Sequence, residues 1–254
     1  MAYTINSGVR ISPWVRWLAL FLLVMLVSLV GLVKAGANRD PPVFAISASG
    51  AEIVPVDYPL WRKISDGLAG RKYALLTFDD GPYGGGTDEE ILTVLRRHRA
   101  HAMFFLVCDH LNKVTTPVLG EISKDGDIIA NHSYSHPRLT TLAPDELSHQ
   151  IEGCSDELAR IAGTRPRYFR PPFGQASAKV RTAIRAAGMR EVLWNANSQD
   201  SWLTKPDQIL YWSKEETGNG SILLMHDKPA TAAVLDRALT QLEQHGFQFV
   251  LPPR

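Results

Sequence analysis

From residue 71 to its end the chain alternates short apolar runs with amphipathic helical stretches. The first run, Leu75-Leu76-Thr77-Phe78, reads as a buried strand ending in Asp79-Asp80, after which Gly81-Pro82 turns the chain. Thr87 with Glu90 predicts a capping box for a helix carrying Ile91, Leu92 and Leu95. Further strands are expected at 102–107, 127–130, 168–169, 191–194, 221–225 and 247–250. Pro144 opens a long helix with the stripe Leu147, Ile151, Cys154, Leu158 and Ile161, stopped by Gly163. Val180, Ile184 and Ala187 mark another helix closed by Gly188, and helices surround Ile209 and 234–242. Seven strands alternating with helices predict a parallel α/β architecture, either an incomplete (β/α) barrel or an open doubly wound sheet.

The polar residues decide between the two. Asp79-Asp80 follow the first strand, His132 and His136 the third, Arg170 the fourth, Asp200 the fifth and His226-Asp227 the sixth. A barrel builds its site from the C-terminal ends of several strands, whereas an open sheet concentrates its ligand at one switch point. The expectation is therefore an incomplete seven-stranded barrel.

Ahead of this region the pattern changes twice. Residues 17–33 carry no charge, Arg10 and Arg16 precede them, and no acidic residue occurs before Asp40. Residues 1–34 therefore read as a membrane segment. Seventeen residues fall a little short of a ~30 Å hydrocarbon core, although Arg16 and Lys34 can snorkel, and Ala35-Gly36-Ala37 resembles a signal-peptidase site. An anchor, with the following domain outside the cytoplasmic membrane, is preferred over a cleaved signal and secretion. Residues 35–70, broken by Pro41, Pro42, Pro55 and Pro59, read as a tether or cover, with one short helix around Trp61, Ile64 and Leu68. Residues 71–254 form the main domain.

Composition adds exclusions. With 254 residues, 45% hydrophobic, the chain has material for one substantial core, and its net charge of +1 argues against nucleic-acid binding by phosphate neutralisation. Cys154 lies in the helical stripe and Cys108 ends an apolar strand, so both read as small buried hydrophobes. Export permits a disulfide, but nothing in the sequence places them together. His98, His101, His110, His149 and His245 carry no motif and read as solvated.

Two adjacent carboxylates at a strand end repel each other, so one is expected to hold a cation and the other to act as a base. His132-Ser133-Tyr134-Ser135-His136 offers two imidazoles at i and i+4, on one face of a helical turn. With Asp80 they make three protein ligands and one open position, as in a catalytic zinc site. Cobalt, manganese or nickel suits the same donors.

These residues, with three further stretches, resemble the polysaccharide deacetylases of the NodB homology domain, carbohydrate esterase family 4. The likeness runs in order through Thr77-Phe78-Asp79-Asp80-Gly81-Pro82, Asn131-His132-Ser133-Tyr134-Ser135-His136-Pro137, Arg170-Pro171-Pro172-Phe173-Gly174, Asp200-Ser201-Trp202 and Leu223-Leu224-Met225-His226-Asp227. It implies a NodB-like barrel in which Asp80, His132 and His136 hold the divalent metal. Asp79 would be the general base, oriented by Arg170, and a backbone N–H near Phe173 would hold the oxyanion. His226, tuned by Asp200, would protonate the leaving amine. Phe173, Trp202, Leu223 and Met225 would line the acetyl pocket and the sugar face. The sequence departs from the family pattern where Ser201 separates Asp200 from Trp202. The implied substrate is an N-acetylated polysaccharide or oligosaccharide of the envelope, peptidoglycan or chitin-type. An O-acetyl esterase, or a deformylase or amidase on a lipid-linked amino sugar, would use the same chemistry. A non-catalytic glycan-binding protein on the same fold would have no use for the acid-base pair.

Overall fold

The computed structural model describes residues 12–37, 44–48, 50–56 and 60–253, in two units: Met1–Asp40 with Pro59–Ala69, and Pro41–Tyr58 with Gly70–Arg254. In the first unit the uncharged run lies within a helix, α1 (Pro13–Ala37), whose apolar side chains from Trp14 to Val27 are exposed. Among the described residues no helix is long and apolar enough to cross a membrane. The short helix expected around Trp61 is α2 (Leu60–Leu68), which also exposes Ile64 and Leu68. Arg10 lies outside the described residues.

The second unit takes in part of the 35–70 stretch. There β1 (Phe44–Ile46) and β2 (Ile53–Pro55) pair antiparallel, with Phe44, Ile46 and Ile53 buried among Tyr73, Leu75 and Phe105. The main sheet contains β3 (Lys72–Gly81), β4 (Ala102–Leu106), β5 (Ile128–Asn131), β6 (Tyr168–Phe169), β7 (Arg190–Glu191), β8 (Ala196–Asn197), β9 (Ser221–His226) and β10 (Phe247–Phe249). Its strands run β7-β6-β5-β4-β3-β9-β8, with β10 beside the start of β3, and every pairing is parallel. β7 and β8 end the path without pairing to each other, so the barrel is incomplete, as expected.

Residues of β3 alternate between two cores because successive side chains of a strand leave opposite faces. Ala74, Leu76 and Phe78 pack outward against α3 (Thr87–His98) and its neighbours. Tyr73 and Leu75 point inward with the β1–β2 pair. The same inward alternation carries Thr77 and then Asp79 into the barrel.

Several local expectations are corrected. α3 starts without a side-chain cap: Gly86, at φ 89°, is its N-cap, and Thr87 is already helical. Its Asp88 instead accepts the N–H groups of Tyr83 (3.1 Å) and Gly84 (2.6 Å). The expected strand at 191–194 becomes β7 and β8 with a break between. There the Val192 and Leu193 carbonyls accept hydrogen bonds from the Arg170 guanidinium (3.1 and 3.2 Å) instead of continuing a ladder. The long helix from Pro144 is α5 (Pro144–Ser148) and α6 (Cys154–Ala162), joined through a π-helical turn, His149–Gly153. His98 is not solvated, since its ring is held between Asp236 (3.1 Å) and Glu243 (3.0 Å).

Cys108 and Cys154 are also more than two buried hydrophobes, because the start of α6 lies against the end of β4 and the two form a disulfide. The bond closes a loop with a sequence separation of 46, for which chain entropy alone gives about 4 kcal/mol. Replacing both cysteines by serine is expected to lower the unfolding free energy by about 2–4 kcal/mol in denaturant titration. An unchanged midpoint would show that the bond contributes nothing.

Candidate active site

In a regular strand Asp79 and Asp80 would point to opposite faces. Here the β3–β4 register shifts between Asp79 and Gly81, and Asp80 takes the left-handed conformation at φ 67°. This bulge brings both carboxylates to one place: Asp79 Oδ2 lies 3.6 Å and Asp80 Oδ1 3.5 Å from His132 Nε2. His136 Nε2 is 3.4 Å from the same Asp80 oxygen, and the ligand atoms of Asp80, His132 and His136 lie within 4.8 Å of one another.

This donor set fits a divalent cation. Asp80 Oδ1 is buried without a hydrogen-bond partner, an arrangement that costs energy unless a cation satisfies it. His132 Nδ1–H donates to the Arg170 carbonyl (2.7 Å), which turns the lone pair of Nε2 toward Asp80. Burial holds the His132 ring neutral, with its pKa lowered to about 3, and the neutral ring is the form that binds metal. His110 is exposed, as expected, and donates from Nδ1 to the Asp80 carbonyl (2.8 Å), which braces the bulge.

The two histidines do not converge on a helical turn. They lie in a loop after β5 with Ser133 at φ 74° and His136 at φ 57°. Side-chain bonds impose this path: Asn131 Oδ1 accepts the Ser133 N–H (2.7 Å), and Ser133 Oγ accepts the His136 N–H (3.0 Å). The π-helical turn braces the loop from outside, because Gln150 Oε1 accepts the Ser135 N–H (2.9 Å) and the Ile151 carbonyl accepts from Asn131 Nδ2 (2.9 Å).

Arg170 is fully buried behind Asp79. Its Nη1 donates to Asp79 Oδ1 (2.6 Å) and Thr77 Oγ1 (2.9 Å), and its guanidinium lies 4.1 Å from the centre of the Phe105 ring. Burial pushes the Asp79 carboxyl above the usual carboxylate range, although the charges of Arg170 and His226 pull the other way. The result is a more basic carboxylate than an exposed one, held in one orientation.

Across β3, Asp79 pairs in register with His226 of β9. His226 Nδ1 is 2.7 Å from Asp200 Oδ1, and its backbone N–H donates to Asp200 Oδ2 (2.7 Å). Thr231 Oγ1 donates to that second oxygen (2.6 Å), so Ser201 does not displace Asp200 from its partner. Burial opposes charge on His226, but the Asp200 hydrogen bond and charge outweigh it and raise the pKa above 6.5.

The four residues expected to meet substrate divide. Phe173, at φ 61°, and Trp202 are exposed, and the Phe173 ring is 4.8 Å from that of His136. Leu223 and Met225 are not brought to the site. They alternate with Leu224 and His226 along β9, and they pack in the outer, helix-facing core. Leu224 occupies the His226 face instead. Thr77 and Thr231, whose hydroxyls hold Arg170 and Asp200, have roles that no expectation from the sequence assigned to them. A threonine inside the apolar run 74–78 was the available signal for the first of them.

Residues 66–192 match the family model described as polysaccharide deacetylase. The chain is 32% identical over 183 residues to a peptidoglycan-N-acetylglucosamine deacetylase of Bacillus cereus, covering 70% of this chain and 66% of that protein. It is 32% identical over 181 residues to the peptidoglycan-N-acetylmuramic acid deacetylase PdaC of Bacillus subtilis, covering 71% of this chain and 38% of that protein's length. The solved PdaC structure superposes with a TM-score of 0.66 at 31% identity, covering 71% of this chain and 87% of the other. A CE4 family pseudoenzyme from Bacillus anthracis superposes equally well, with a TM-score of 0.66 at 27% identity over 70% of this chain and 63% of the other.

Proposed function

The chain belongs to the polysaccharide deacetylase family, the NodB homology domain of carbohydrate esterase family 4, and from that premise we propose that it hydrolyses the N-acetyl group of amino sugars in peptidoglycan or a related polymer. The observation that carries this reading is the placing of Asp79, on β3, between the Asp80-His132-His136 cluster and the His226–Asp200 pair. A divalent metal held by Asp80, His132 and His136, zinc first and cobalt, manganese or nickel as substitutes, would supply Lewis-acid polarisation of the acetyl carbonyl.

The chain's own residues do the rest. Asp79, fixed by Arg170, takes the proton of the attacking water. The N–H of Phe173 would hold the developing oxyanion, since the neighbouring Gly174 and Gln175 N–H groups are used to close the turn on the Pro171 and Pro172 carbonyls (2.9 and 3.2 Å). His226, whose Nδ1 is engaged by Asp200, gives the proton on Nε2 to the amine nitrogen as the C–N bond breaks. Acetate and a free amino sugar leave. A family fold alone does not ensure turnover, since a pseudoenzyme shares it, but the complete base, acid and ligand set favours catalysis over glycan binding.

The membrane part of the reading rests on the uncharged residues 17–33 behind Arg10 and Arg16 and on the exposed apolar side chains of α1. It puts the catalytic domain, residues 71–254, on the outer side of the cytoplasmic membrane. Full-length protein is expected to release acetate from N-acetylglucosamine oligomers or peptidoglycan, to stop after chelation and to recover with added Zn2+. Acetate release that survived exhaustive chelation would remove the metal from this account, and its absence from metal-replete protein on both substrates would overturn the deacetylase reading.

A further inference from the structure

Three side chains form a stack at the rim of the site. The His136 ring lies 4.8 Å from the ring of Phe173, at an interplanar angle of 66°, and the Arg138 guanidinium lies 4.8 Å from the centre of that same Phe173 ring. Arg138 Nη1 donates to Gln175 Oε1 (2.9 Å), two residues past Phe173, so the guanidinium is held by the ring and by the amide together. Its holders are an aromatic ring and a neutral amide. The surface arginines Arg96, Arg97, Arg160, Arg165, Arg181 and Arg237 are each ion-paired to a carboxylate, whereas Arg185 and Arg190, like Arg138, donate to neutral oxygens but have no aromatic ring beneath them among the described contacts. Arg138 therefore keeps its positive charge uncompensated by such a partner while its side chain is already oriented.

Both Arg138 and Phe173 are exposed. A sugar lying on the Phe173 ring with its acetamide at the Asp80-His132-His136 cluster would have the guanidinium beside it. An arginine whose orientation is fixed before the ligand arrives presents its planar fork of donors to a carboxylate with little further ordering, and it attracts that group by charge as well as by hydrogen bonds.

We propose that Arg138, fixed by Phe173 and Gln175, is a specificity residue that binds the carboxylate of an acidic N-acetyl amino sugar, so that the site favours an N-acetylmuramic acid unit over a neutral N-acetylglucosamine unit. This rests on the deacetylase reading for the place of the sugar, but the recognition of the carboxylate is testable without turnover.

Calorimetric titration of the full-length protein with N-acetylmuramic acid and with its methyl ester isolates the charge, since the two differ only there. At low ionic strength the wild type is expected to bind the acid about tenfold more tightly than the ester, the scale of one charge-assisted hydrogen bond. Arg138→Gln should abolish the preference, Arg138→Lys should keep part of it, and added salt should weaken it. In turnover, Arg138→Gln should lower the ratio of kcat/KM for muramic-acid-containing over glucosamine-only oligomers by about tenfold. Equal binding of acid and ester by the wild type, no binding of either, or a preference that survives in Arg138→Gln would overturn the proposal. A preference lost in Arg138→Gln without acetate release from any substrate would leave the carboxylate site standing and remove the deacetylase reading. Acetate release with no acid preference would do the reverse.

Discussion

Asp79→Asn is expected to lower kcat for acetate release by about 10²–10⁴-fold, the range a positioned general base contributes. Asparagine keeps the shape of the side chain and an oxygen for Arg170 Nη1, but it cannot take a proton from water. Arg170 would also keep Thr77 Oγ1 and the Val192 and Leu193 carbonyls, so its buried charge is not stranded. The stability loss should therefore be smaller than the ~3–5 kcal/mol that follows when a buried charge loses its only partner. Because Asp80, His132 and His136 are untouched, metal content should stay at the wild-type level. His132→Ala, in contrast, should lose metal and activity together. Steady-state acetate release, metal analysis and thermal unfolding on the same preparations separate these effects. A kcat within about twofold of wild type in Asp79→Asn would show that the base lies elsewhere.

The acid side has an equally large expected effect and a pH signature. An amine leaves poorly unless its nitrogen is protonated, so His226→Ala should cost about 10²–10⁴-fold on an N-acetyl substrate. It should cost far less on an activated aryl acetate, whose leaving group needs no proton. Asp200→Asn tests how His226 is tuned. In the wild type the Asp200 hydrogen bond and charge hold the pKa of His226 above 6.5 against burial, which favours the neutral ring. The protonated fraction falls as pH rises through that pKa, so the alkaline limb of the rate profile should lie above pH 6.5. Without the carboxylate, only the charges of Asp79 and Asp80 still oppose burial, so the limb should move to lower pH, with the largest rate loss on the alkaline side. A limb that stayed in place in Asp200→Asn would show that another group sets it.

Much of this site was legible along the chain. Local chemistry writes it there: a buried strand shows as an apolar run, and a carboxylate pair or a histidine pair shows as consecutive or closely spaced letters. The order of Asp79-Asp80, His132, His136, Arg170, Asp200 and His226 past successive strands also pointed to an incomplete barrel, and the pairing of the strands is that of one.

The tertiary structure decided what depends on partners far apart in sequence. The imidazoles of His132 and His136 meet Asp80 through two left-handed residues held by Asn131, Ser133 and Gln150, not through a helical repeat. Asp79 and Asp80 share a face only because the ladder with β4 slips at the bulge. Cys108 and Cys154 bond because α6 packs against the end of β4. Leu223 and Met225 turned out to face the helices, since an apolar strand buried on both sides has no polar alternation to reveal which side is which. The chain by itself determined which groups carry the chemistry, because side-chain type and spacing are local. Their facing, their distances and the charge left open on Arg138 were decided only in the folded molecule, where hydrogen bonds between distant segments override local preference.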